Sequence, residues 1–86
     1  MDYVMAAFSS TYAALLAQRA GAEVAAVQVM PVLREVSQGC GIALRFQPEE
    51  LAAVRAALAA SGLGQSEYAL YGVTGAGETL RCEPLG

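Results

Sequence analysis

The segment QPEELAAVRAALAASG, residues 47–62, leaves the chain little choice of local structure. Pro48 suits a first helical turn, where its missing N–H and fixed φ cost nothing. Glu49 and Glu50 follow at the end where the helix dipole favours negative charge. Leu51, Val54 and Leu58 recur at three- and four-residue spacing and form one apolar stripe, and Gly62 supplies the stop. Much of the rest is alanine, so such a helix packs closely on a sheet. Its sequence neighbours supply the strands. In GIALRF, residues 41–46, Ile42, Leu44 and Phe46 take the core side and Arg45 the outer side, a period of two. SEYALYGV, residues 66–73, reads as a further strand.

The first half repeats the pattern. DYVMAAF, residues 2–8, reads as a strand, and Ser9-Ser10-Thr11 offers hydroxyls for a helix N-cap. TYAALLAQRAGAEV continues with Tyr12, Leu15, Leu16 and Ala20 as its apolar positions and Gly21 as a left-handed stop. EVAAVQVM, residues 23–30, is a second strand with Ala25, Val27 and Val29 on one face, followed by a loop from Pro31 to Gly39. The order β-α-β-β-α-β predicts a ferredoxin-like α+β fold: a four-stranded antiparallel sheet in the order 4-1-3-2, with two helices on one face. We expect one such domain over residues 1–73. Residues 74–86, TGAGETLRCEPLG, have no clear period and are expected to form a C-terminal tail or an oligomer contact.

Composition narrows the function. Of 86 residues, 56% are hydrophobic and 15% charged, which excludes a disordered chain. The net charge is −3, with five arginines and no lysine. Arg19, Arg34, Arg45, Arg55 and Arg81 are spread singly, so no basic footprint for nucleic acid exists. There is no histidine, hence no Ser-His or Cys-His pair, and two cysteines are too few for a metal site within one chain. No cofactor is expected. The apolar opening has Asp2 rather than a basic residue before it and a Ser/Thr interruption, which argues against a signal peptide. No apolar run is long enough for a membrane span. The expectation is a cytoplasmic protein with reduced thiols.

Cys40 stands between Gly39 and Gly41, an unshielded setting for a sulfur. In the expected topology the first and third strands are antiparallel neighbours, which brings Gly41 toward Phe8 and Cys40 toward Ser9, Ser10 and Thr11. Backbone N–H groups and the positive end of the helix dipole converge there, a setting that lowers a thiol pKa. Arg34, six residues earlier, brings a full positive charge, and the two glycines let amides approach the sulfur's cargo. The alternative is a small hydrophobe in the core, with the glycines serving a turn. For Cys82 the readings are a resolving thiol for Cys40 or an ordinary surface thiol. An open sheet face carrying Val24, Ala26, Met30, Tyr68 and Leu70 would instead suit an interaction module that forms a homo-oligomer or binds a partner.

PVLREVSQGCGIALRF followed by QPEELAAV resembles the signature of the selenium/sulfur carrier-like family. The matching positions are Pro31, Arg34, Val36, Ser37, Cys40, Gly41, Arg45, Phe46, Pro48 and Glu49. The resemblance runs from about Tyr3 to Tyr71. Leu33 replaces a proline the family often has before its arginine, and Cys82 lies outside the resemblance. The family implies a carrier more than a catalyst, with Cys40 as the cargo-bearing thiol and donor and acceptor proteins as partners; together with the expected topology, this places Arg34, Ser9, Ser10, Ser37, Gly39 and Gly41 around the cargo.

Overall fold

The computed structural model describes residues 1–33, 36 and 41–85. Strand β1 spans Tyr3–Phe8, helix α1 Thr11–Ala22, β2 Gln28–Pro31, β3 Ile42–Phe46, helix α2 Leu51–Ala60, β4 Tyr68–Thr74 and β5 Arg81–Leu85. The five strands make one antiparallel sheet in the order β2-β3-β1-β4-β5. The expected four-stranded sheet is therefore corrected to five strands. The added one comes from the stretch expected as a tail, where Cys82 pairs with Val73 and Leu85 with Leu70. Its alternation is weak because it is an edge strand whose residues are half-buried or exposed.

Five of the six residues of β1 are buried. VMAAF shows no polar alternation because both faces of this central strand are covered, so both must be apolar. Val4, Ala6 and Phe8 join Leu44, Phe46 and Leu70 under the helices, with Val54, Leu58 and Leu63 above them. Met5 and Ala7 join Ala43, Val73 and Val36 on the opposite face, where Val32, Leu33, Leu80 and Cys82 pack over them. The sheet face expected to be open is thus covered by the chain's own β2–β3 connection and its C-terminal region. Tyr68 and Leu70 pack on the helix side instead, and Val24 and Ala26 precede β2.

The α1 face is also corrected. Ala13, Ala14, Ala17 and Gly21 are its buried residues, whereas Tyr12 is 71% exposed and Leu15 57% exposed. Small residues let the helix approach the sheet closely, so the larger side chains are turned outward. Gly21 lies within the helix and has no positive φ. A Cβ there would stand 3.2 Å from Val27 Cγ1, so this glycine serves close packing rather than a left-handed stop. The helix runs to Ala22, and β2 starts at Gln28, five residues later than expected. α2 follows expectation: a 3₁₀ turn at Pro48–Glu50 leads into it, Val54 and Leu58 are buried, and Gly62 has φ 93°.

Glu50 contributes more than dipole charge. Its Oε1 accepts from Gln47 N–H (2.9 Å) and its Oε2 from Ala26 N–H (3.1 Å), joining the start of α2 to the α1–β2 turn. Both edge strands contain a proline, Pro31 in β2 and Pro84 in β5. Val32 donates its N–H to the Gly41 carbonyl (3.0 Å), so Pro31, one residue back, turns its nitrogen toward the open edge. Among the described residues, no helix is long and apolar enough to cross a membrane.

Candidate functional site

The site expected from sequence lies where β1 ends and β3 begins. Ala7 pairs with Ala43, and the same register carried outward sets Ser9 across from Gly41. The start of α1 is thereby brought to the end of the sheet from which the β2–β3 connection enters β3. The Val32 N–H to Gly41 carbonyl bond closes the neck of that connection, and Val36 donates to the Leu33 carbonyl within it (3.0 Å). Val36 is 5% exposed and belongs to the core on the sheet face away from the helices. Arg34, Ser37, Gly39 and Cys40 lie outside the described residues.

Gly41 is exposed, its φ is not in the left-handed region, and among the described residues a Cβ placed on it would meet nothing within 4 Å. None of the described residues requires glycine there. By contrast, Gly75 has φ 79° and a Cβ would stand 2.5 Å from the Thr79 carbonyl oxygen, so its local turn requires the residue.

Ser9 and Ser10 already have structural partners. Ser9 donates its N–H to the Glu67 carbonyl (3.0 Å), so that amide is not open to an incoming anion. Ser10 is the N-cap of α1, its Oγ accepting from Ala13 N–H (3.1 Å). A capping hydroxyl still has its own O–H to donate, so the geometry preserves one donor at Ser10 while it removes the Ser9 amide.

Cys82 sits far from this end. It pairs with Val73, and Val73 pairs with Tyr3, whereas Gly41 stands level with Ser9. That register difference is about 20 Å along the strands, and β5 is three strand spacings, about 14 Å, from β3. A disulfide needs Cα atoms within about 7 Å, and one residue reaches only about 3.8 Å from Gly41. The register argues against Cys82 as the resolving partner of Cys40 in this fold.

Sequence reasoning missed the role of Val32, Leu33 and Val36, which secure the β2–β3 connection to the sheet. Their apolar character inside a loop was the available signal. Arg45 faces away from the helices, as expected, and its guanidinium lies 4.0 Å from the centroid of the Tyr3 ring, a cation–π contact. Among the described residues, no group of three or more His, Cys, Asp or Glu is arranged to hold a metal ion.

These features define a two-layer α+β protein in which a short, anchored connection leads a cysteine-bearing segment into an internal strand. The chain belongs to the family described as "Putative Se/S carrier protein-like", whose model matches residues 2–69. The match takes in β1 through the start of β4, including the whole β2–β3 connection. No curated protein and no solved structure gives a match to the chain.

Proposed function

We propose that the protein carries sulfur or selenium on the Cys40 thiol, between donor and acceptor proteins. The observation that supports this most is the family match across the β2–β3 connection, together with an exposed Gly41 that the backbone does not need. In the loading step, the Cys40 thiolate attacks the outer sulfur of a donor persulfide. The donor S–S bond breaks, the donor leaves as a thiolate, and the outer sulfur stays bonded to Cys40. A selenium atom in the outer position follows the same course. Arg34 and the hydroxyls of Ser10 and Ser37 stabilise the resulting anion, and Gly39 and Gly41 leave room for the cargo and for a partner's sulfur. Delivery reverses the step onto an acceptor thiol, so the protein has no catalytic cycle of its own. A reducing cytoplasm suits such chemistry. The order β2-β3-β1-β4 supports reading the frame as ferredoxin-like, with β5 added at one edge.

Native-state alkylation tests this reading, with Cys82 as the internal comparison. At neutral pH, peptide-resolved mass spectrometry should find Cys40 modified well ahead of Cys82, because thiolate character and access govern the rate. A Cys40 that reacts only after denaturation is a core residue, and the carrier reading then fails.

A further inference from the structure

The outer face of the helix layer is apolar and charged in a self-complementary way. Tyr12 and Leu15 on α1 and Val24 just beyond it are exposed by 71%, 57% and 48%. Leu16, Arg19, Ala20 and Glu23 line a groove against Ala57 and Ala60 of α2. Arg19 and Glu23 are both exposed and four residues apart, yet among the described residues neither forms an ion pair. An arginine placed N-terminal to its glutamate is the less favourable order for pairing along one helix.

The geometry points to a second copy of this chain as the occupant of this face. A two-fold axis beside Ala20 runs the two α1 helices antiparallel and sets Arg19 of each copy against Glu23 of the other. It brings Leu15 and Leu16 of each copy toward Val24 of the other. One surface patch then meets itself, which is what a closed dimer requires. The alanines at the crossing allow close approach of the helices, and the reciprocal ion pairs fix the direction. Other routes to self-association are less suitable: both edge strands carry prolines, and the far sheet face is covered by the chain's own residues. The end of the sheet where β1 ends and β3 begins stays outside this contact, so the proposal stands or falls independently of the carrier reading.

Sedimentation equilibrium of the full chain tests it, with circular dichroism as the check on folding. The wild-type chain should be a dimer, and Leu15→Asp, at an exposed position, should give a folded monomer. R19E and E23R should each weaken the dimer about tenfold or more, since like charges then face one another across the axis. An equimolar mixture of the two variants should form a heterodimer about as tight as the wild type, because both contacts again set an acid against an arginine, one as in the wild type and one with its signs exchanged. A wild-type chain that stays monomeric at millimolar concentration overturns the proposal. So does a dimer that neither Leu15→Asp nor the charge reversals weaken, or a mixture that fails to associate.

Discussion

Glycines separate residues the fold requires from residues it tolerates. Gly75 holds φ 79°, and a Cβ there would stand 2.5 Å from the Thr79 carbonyl oxygen, so Gly75→Ala is expected to cost about 1–3 kcal/mol, measured by urea denaturation. Gly41 has neither constraint. Gly41→Ala should therefore leave stability within about 1 kcal/mol of wild type. On the carrier reading it should also slow native alkylation of Cys40, by placing a methyl beside the sulfur's approach. Equal alkylation rates would remove Gly41 from the proposed site. Ser10 is constrained in another way: Ser10→Ala removes the cap on Ala13 and should cost about 1 kcal/mol.

At the scale of elements, the described part of the β2–β3 connection, Val32, Leu33 and Val36, belongs to the core. Val36 packs with Met5, Ala7, Ala43 and Val73, so Val36→Ala should destabilise the whole protein by about 1–3 kcal/mol in denaturant unfolding. An unchanged midpoint would mean that the anchor contributes nothing to the fold. Strand β5 gives a second test. Truncation after Leu80 exposes the long edge of β4, with Tyr71 and Val73 newly uncovered. The shortened chain should lose stability and aggregate, as an unprotected edge without proline does. A soluble chain of wild-type stability would show β5 to be dispensable.

The elements differ in how far their sequences reveal them. QPEELAAV states its helix plainly, since proline, acids and an apolar stripe agree. YVMAAF reveals a strand but not which faces are covered, because coverage of the second face comes from residues 32, 33 and 36 and from the C-terminal region. α1 misled on its buried face. Periodicity ranks Tyr12 and Leu15 above alanine, but close packing on the sheet selected Ala13, Ala14 and Ala17. β5 was hidden by its position at an edge, where one partner strand rather than a periodic pattern defines it. Cys40 stands out in the sequence as a cysteine between glycines, and it lies outside the described residues. The N-cap in Ser9-Ser10-Thr11 was legible too, but the commitment of the Ser9 amide was not, since it depends on a carbonyl 58 positions away at Glu67.

At the scale of the whole molecule, the fold separates three surfaces. One end of the sheet gathers the α1 N-cap and the entry to β3, the helix layer presents an apolar groove lined by Arg19 and Glu23, and the edges carry prolines. The proposed self-association and the proposed cargo exchange therefore call on different sides of one small protein. Loading should be the same whether the chain is a monomer or a dimer, which the Leu15→Asp variant allows to be measured directly. A loading defect in that variant, with its fold intact, would show that the two sides are coupled.

The central claim is that Cys40 bears the cargo, and mass spectrometry of the chain after exposure to a persulfide donor tests it most directly. The account predicts one added sulfur on the peptide containing Cys40. That addition should be absent in Cys40→Ser and retained in Cys82→Ser. Loading that persists in Cys40→Ser, or that appears only on Cys82, would contradict it.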